Sequence, residues 1–103
     1  MSFFNKQSNI KISMLHTENN LKKSITEFWF RLNKNVTKLN VIILANNDED
    51  KIYTDQNEIY LKHQWYLLAG YEDIKYKKWK FVFNGFDMET ETHFNCKVKY
   101  FIK

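Results

Sequence analysis

Several residue types are scarce or missing from this chain of 103 residues, and each absence excludes a class of protein. The sequence has no proline, two glycines and one cysteine. Because Cys96 has no partner, an internal disulfide framework is excluded, and we expect Cys96 to be a small buried hydrophobe. A glycine-rich phosphate-binding loop is hard to build from Gly70 and Gly85 alone.

Long hydrophobic runs are also missing. No apolar run approaches the roughly 18 residues that a membrane-spanning helix needs. The first residues, MSFFNKQSN, lack the basic region and the long apolar region of a secretory signal. We therefore expect a soluble protein with no membrane partner.

The residues that usually carry catalysis do not cluster in the sequence. His16, His63 and His93 have no cysteines or paired carboxylates near them at metal-ligand spacing. The sequence contains no GxSxG and no CxxC motif. We therefore expect no enzyme activity, no metal or other cofactor, and no small-molecule substrate.

The composition that remains is typical of a small globular protein. Apolar residues make up 44% of the chain and aromatic residues 17%, enough for the core of one domain spanning residues 1–103. The formal net charge is +4, the isoelectric point is near 9.1, and Arg31 is the single arginine. This lysine-based excess favours an anionic partner. The richness in Lys, Asn, Ile, Phe and Tyr resembles the product of an AT-rich genome.

The clearest pattern runs from Ile10 to Val36. Apolar and polar residues alternate over residues 10–15, which predicts a half-buried strand. Apolar residues then recur at spacings of three and four, with Thr17 as a possible N-cap, which predicts an amphipathic helix over residues 18 to about 35. The residues of its apolar stripe are Leu21, Ile25, Phe28, Trp29, Leu32 and Val36.

The middle and the end of the chain favour strands. Residues 39–45 predict a strand paired beside the first one, and residues 46–57 a polar loop in which Ile52 and Tyr53 could extend a hairpin. Alternation over residues 58–68 favours a third strand, with a helix as the alternative. Residues 94–102 predict a terminal strand with Lys97 and Lys99 on its polar face.

Residues 72–92 fit two structures. Tyr76, Trp79, Phe83 and Phe86 fall at helical spacing, whereas Asn84–Gly85 is a strong hairpin signal. The hairpin would set Lys80 opposite Glu89 and Lys78 opposite Glu91. If the segment is helical, the element order predicts an α+β fold, a ferredoxin-like split β-α-β sandwich with helices on one face of an antiparallel sheet.

Lysines on the predicted strands indicate a site for phosphates. Lys11 and Ser13 on the first strand and Lys97 and Lys99 on the last would share one outer face if those strands pair. A second group combines cations with the stacking surfaces of Tyr76 and Trp79, as in many RNA-binding proteins. Its cations are Lys75, Lys77, Lys78 and Lys80. A solvated basic face is the alternative interpretation.

Four segments, in order along the chain, resemble one family. IKISM at 10–14, NVIILAN at 40–46, EIYLKH at 58–63 and NCKVKYFIK at 95–103 are similar to strands of the small-subunit ribosomal protein S-ten family. The resemblance implies a ferredoxin-like fold in the head of the small ribosomal subunit, bound to ribosomal RNA and neighbouring ribosomal proteins. The residues expected to contact RNA are Lys11, Ser13, Lys62, His63, Lys75, Lys77, Lys78, Lys97 and Lys99.

The expected location follows from the same resemblance. An AT-rich composition without a transit peptide favours an organelle-encoded protein of the mitochondrial ribosome, the alternative being the cytoplasm of an AT-rich bacterium or of a phage host. The alternative function is a small phage or mobile-element protein that inhibits a host protein by direct binding. Its interface would consist of aromatic residues such as Tyr60, Trp79 and Phe101.

Overall fold

The computed structural model describes residues 10–19, 21, 23–46, 48–53 and 57–102, and these residues form seven β-strands and no helix. The strands are β1 (Ile10–Glu18), β2 (Ser24–Leu32), β3 (Val36–Ala45), β4 (Asp48–Tyr53), β5 (Trp65–Glu72), β6 (Lys78–Asp87) and β7 (Thr92–Phe101). The expected α+β ferredoxin-like fold is therefore wrong, because the described part of the chain is all-β.

The strands form two antiparallel sheets that pack face to face. One has three strands in the order β1-β2-β5, and the other has four in the order β4-β3-β6-β7. Aromatic rings meet between them: the ring of Phe28 lies 4.9 Å from that of Trp79 and 5.2 Å from that of Phe81. The result is a β-sandwich. The expected pairing of β3 beside β1 is wrong, since the two strands belong to different sheets.

Every second residue of the inner strands contributes to one shared core. The three-stranded sheet supplies Phe28 and Phe30, and the four-stranded sheet supplies Phe81 and Phe83, all fully buried. Tyr60, which precedes β5, is also buried, and its backbone exchanges two hydrogen bonds with Val36, at 2.8 and 3.0 Å. This isolated bridge closes the core beside β3.

The segment that was expected to be a helix forms strand β2, and both faces of this strand are rich in apolar residues. Thr26, Phe28, Phe30 and Leu32 are buried, whereas the residues between them face outward. The outward Ile25 and Trp29 completed the helical spacing in the sequence. Leu21 is 78% exposed. Aromatic and β-branched residues favour the strand, and the alternation of period two decided the outcome.

The segment over residues 72–92 contains neither the helix nor the turn at Asn84–Gly85. β6 runs straight through both residues, which pair with Asn95 and Phe94 of β7. A Cβ atom on Gly85 would lie 2.8 Å from Cγ1 of Val36 and 3.0 Å from the ring of Phe94. Gly85 is therefore needed for close packing of the core and not for a turn.

The turn lies instead at residues 88–91. The buried carboxylate of Asp87 accepts hydrogen bonds from the backbone N–H of Glu89 at 2.8 Å and of Thr90 at 3.3 Å. Glu91 adopts a φ of 56°, in the left-handed region. Because the centre of the turn lies five residues later than expected, Lys78 and Lys80 pair with Phe101 and Lys99 and not with Glu91 and Glu89.

The other strand predictions had mixed outcomes. The strand at 39–45 is confirmed within β3, and the hairpin alternative for the polar segment is confirmed by the pairing of β3 with β4. The strand at 58–68 is wrong in its bounds, because β5 starts only at Trp65, after a turn at 62–63. The terminal strand is confirmed as β7, in which Cys96 is buried, and burial raises the pKa of its thiol.

Candidate anion-binding face

The outer face of the β6–β7 hairpin collects lysines because the alternation of both strands points them away from the core. Lys80 lies directly opposite Lys99, and Lys78 opposite Phe101. Lys97 follows on the same face of β7, opposite Val82. We call this surface the lysine face and define it by Lys78, Lys80, Lys97, Lys99 and Phe101.

The charges of the lysine face are not balanced by acids in the described part of the chain. Ion pairs among the described residues join Glu18 to His16, and Glu89 to Lys34 and Lys62. None of them involves a lysine of the lysine face. Like charges directly opposite each other on neighbouring strands are destabilising. The Lys80–Lys99 pair is therefore unfavourable in the free protein and favours an external anion.

A shallow groove of about 170 Å³ runs across the lysine face. Lys78, Lys80 and Lys99 line it together with Phe101, whose side chain is 61% exposed, and Trp79. The side chain of Trp79 points into the core, where its ring lies 4.9 Å from that of Phe28, and its indole N–H donates a hydrogen bond to the carbonyl of Tyr76 at 3.0 Å. The groove thus offers three ammonium groups beside an exposed aromatic ring.

A second groove brings Lys11 and Ser13 close to Lys99. The expected pairing of the first and last strands is wrong, because β1 pairs with β2 and β7 pairs with β6. The two strands nevertheless lie side by side at the open edge of the sandwich, where a groove of about 470 Å³ is lined by Lys11, Ser13 and Lys99. Since Lys99 lines both grooves, the basic surface continues from β6 to β1.

Two more of the predicted residues lie at the end of the sandwich. Lys75 and Lys77, between β5 and β6, line a groove of about 370 Å³ with Tyr76 and His16. The backbone N–H of Ile102 donates to the carbonyl of Lys77 at 2.9 Å, which attaches this segment to the end of β7. These lysines extend the basic surface beyond the start of β6.

Lys62 and His63 lie apart from the other predicted residues. They form the turn before β5, where His63 adopts a φ of 68°. The ammonium of Lys62 lies 3.5 Å from a carboxylate oxygen of Glu89, just beyond the end of β6 that is remote from Lys78. The structure therefore does not bring Lys62 and His63 together with the lysine face.

Sequence reasoning missed two members of the lysine face. Lys80 was recognised as part of a basic cluster but assigned to a partner across the wrong hairpin. Phe101 was considered only as part of a protein interface. Alternation with period two over residues 78–87 sets Lys80 on the same face as Lys78, and the same alternation over residues 92–101 sets Phe101 on the face of Lys97 and Lys99.

Other kinds of site find little support in the described residues. No three side chains of His, Cys, Asp or Glu within them lie close enough together to hold a metal ion. That part of the chain also has no helix long and apolar enough to cross a membrane.

Comparison with known proteins assigns no family to this geometry. No family model matches the chain, and no curated protein or solved structure matches it either. Membership of the ribosomal S-ten family stays a prediction, and the ferredoxin-like fold that it implied is not the fold of this chain.

Proposed function

We propose that this protein binds single-stranded nucleic acid on the lysine face. The observation that carries the proposal is the alignment of Lys78, Lys80 and Lys99 along one groove beside the exposed ring of Phe101. Proteins that bind single strands combine a positive groove, which follows the phosphates, with aromatic side chains on which unpaired bases stack. Lys11 and Ser13 would continue the phosphate path around the edge of the sandwich.

A single strand fits this surface better than a duplex does. Phosphate contacts require only cations, whereas an exposed ring contributes only if a base is free to stack on it. Phe101 supplies this ring within the same groove as three lysines. RNA and single-stranded DNA share the required chemistry, so the experiment includes both.

A place in the small ribosomal subunit, in a mitochondrion, is the narrower hypothesis. The resemblance of the strand segments and the basic surface support it, and neighbouring ribosomal proteins would be further partners. Co-sedimentation of the native protein with small subunits tests it separately from RNA binding in isolation. The inhibitor hypothesis loses two of its three aromatic residues, since Tyr60 and Trp79 are buried and only Phe101 is exposed.

The test is a salt titration of binding, measured by fluorescence anisotropy with labelled oligouridine and oligothymidine. Each phosphate contact contributes roughly 0.7 to the slope of log K against log salt for single strands. Replacing Lys80, Lys97 and Lys99 with Gln should therefore weaken binding and reduce the slope by about 2. Tighter binding of oligouridine would indicate RNA as the natural ligand.

The matched control replaces Lys23, Lys34 and Lys62 with Gln. This variant loses the same charge at loops away from the lysine face, so its slope should stay close to that of the wild type. Equal slopes for the two triple variants would contradict the proposal, because binding would then depend on net charge alone. Absence of binding by the wild type at low salt would also contradict it.

A further inference from the structure

The outer face of the three-stranded sheet carries an exposed apolar cluster, next to the exposed Lys11 and Ser13 of β1. Leu15 of β1 is 52% exposed, and Trp65 and Leu67 of β5 are 43% and 44% exposed. The central strand adds Ile25 and the half-buried Trp29, which pairs with Leu67. We call these five residues the apolar face. Exposed apolar residues that are contiguous across strands mark interaction surfaces.

Opposite charges flank the centre of the apolar face: Glu27 lies on one side, and Arg31, with Lys11 directly opposite it on β1, lies on the other. Glu27 and Arg31 lie two residues before and after Trp29, on the same side of β2. The Trp29 indole N–H donates to Glu27 at 3.4 Å, and the guanidinium of Arg31 lies 5.4 Å from the ring of Trp65. Neither charge forms an ion pair with another described residue. Along the outer side of β2, the negative Glu27, the aromatic Trp29 and the positive Arg31 thus follow one another.

We infer that the apolar face binds a second copy of this chain. A two-fold axis that crosses the strands at Trp29 reverses the direction of β2, so Glu27 of each copy faces Arg31 of the other. Isologous interfaces require this kind of self-complementarity. A two-fold axis parallel to the strands would instead set Arg31 against Arg31, which is repulsive.

The same two-fold axis places a large side chain of one copy over an open site on the surface of the other copy. In the register of the sheet, Arg31 pairs with Trp65 and Glu27 pairs with Gly70. The axis therefore sets Trp65 of one copy over Gly70 of the other. Gly70 is exposed, and a Cβ atom there would meet only Cγ of Glu27, at 3.9 Å. The surface over Gly70 is therefore open at the position of a Cβ atom, where a side chain of the other copy can approach the backbone.

The size of the face predicts a weak dimer. Strands lie about 4.8 Å apart and rise about 3.4 Å per residue, so three strands of about eight residues cover roughly 400 Å². Stable interfaces commonly bury about 800 Å² per partner. We therefore expect association to depend on concentration between about 10 µM and 1 mM.

Sedimentation velocity over that range of protein concentration tests the inference with variants in which one charge of the apolar face is reversed. Glu27→Arg and Arg31→Glu should each reduce association at least about tenfold, because each sets like charges against each other. An equimolar mixture of the two variants should recover association, because the two chains then carry opposite charges at both contacts. Recovery would support the proposed axis, and failure of the mixture to associate would overturn it.

Gly70→Gln provides an independent test, and we expect this substitution not to lower the stability of the single folded chain. The glutamine side chain would occupy the site over which Trp65 of the other copy lies, so the variant should sediment as a monomer. Its thermal unfolding, measured at low concentration, should match that of the wild type. A dimeric Gly70→Gln variant would overturn the inference, as would a wild-type protein that stays monomeric at the highest concentration.

Discussion

The two outer faces of the sandwich share one core but differ completely in chemistry. The lysine face carries four like charges and an exposed Phe101, whereas the apolar face carries Trp65, Leu67 and a pair of opposite charges. The core beneath them is built from the same kinds of aromatic residue in both sheets. The difference teaches that the inward residues determine the fold, while the outward residues of the two sheets are free to differ in charge and polarity.

Both faces are unfavourable in an isolated chain, each for its own reason. Opposed lysines repel each other across neighbouring strands, and exposed tryptophan and leucine side chains remain in contact with water. In our two proposals, an anion would relieve the first cost and a second copy of the chain would relieve the second. If both partners bind, the second copy of the chain covers Ser13, which lies directly opposite Trp29, and the nucleic acid contacts the lysine face alone. The dimer then presents two lysine faces on opposite sides, and one long strand could engage both with higher avidity.

The largest expected effect contrasts adjacent residues on opposite faces of β2. Phe28→Ala removes a fully buried ring and should lower the free energy of unfolding by about 3 to 5 kcal/mol. Trp29→Ala, on the apolar face, should cost only about 1 kcal/mol. Urea denaturation at low protein concentration measures both values. A greater loss for Trp29→Ala would mean that the inner and outer faces are reversed.

The two glycines provide the next contrast. Gly85→Ala forces a Cβ atom against Val36 and Phe94 and should destabilise the protein by about 1 to 3 kcal/mol. Gly70→Ala meets open space, and because its φ is not positive it should be neutral or stabilising by up to about 1 kcal/mol. Thermal unfolding compares the two variants directly. Equal effects would contradict the placement of Gly85 in the core.

Phe101→Ala separates stacking from charge on the lysine face. Loss of one base-stacking contact costs about 1 to 3 kcal/mol, so the affinity for oligouridine should fall about 5-fold to 150-fold. The salt slope should remain that of the wild type, because the variant loses no phosphate contact. Leu67→Ala, an exposed residue of the apolar face that lines neither groove of the basic surface, is the control and should leave affinity unchanged at concentrations where the protein is monomeric. If the affinity of Phe101→Ala equals that of the wild type, the result would contradict base stacking on Phe101.

The smallest expected effect is a change in the pKa of Glu89, which distinguishes Lys34, paired with this carboxylate, from the lysines of the lysine face. A hydrogen bond from Lys34, whose ammonium lies 2.8 Å away, and its charge hold the pKa of Glu89 below the ordinary value of 4.5. This interaction therefore contributes to stability at neutral pH, and the contribution is lost as the pH falls below 4.5 through the lowered pKa. Lys34→Gln should raise the pKa of Glu89, measured by carboxyl NMR titration. Lys97→Gln should leave it unchanged, and identical titrations of the two variants would contradict the pairing.

Strands with one polar face could be predicted from the sequence. Lys97 and Lys99 alternate with Phe94, Cys96 and Val98, and this pattern identified β7 and its outward lysines. The apolar alternation of β1 was recognised in the same way over residues 10–15. In both strands the polar residues show which face the core must cover, so the period of two is unambiguous.

Strands with two apolar faces could not be predicted in this way. Ile25 and Trp29 on the outer side of β2 added to Phe28 and Leu32 on its inner side, and together they imitated helical spacing. In β6, Asn84–Gly85 imitated a turn, because local chemistry does not reveal that the side chains of Val36 and Phe94 require the space above Gly85. These errors arose where exposed apolar residues or a contact distant in sequence obscured the local pattern.

The most direct test of the account maps nucleic-acid binding residue by residue. Amide signals of the ¹⁵N-labelled protein are followed by NMR during titration with oligouridine, at a protein concentration below that of self-association. We expect shifts over residues 78–82 and 95–101, which carry the lysine face, and none over residues 67–70 of the apolar face. Shifts confined to β2 and β5, or no shifts at saturating oligonucleotide, would contradict it.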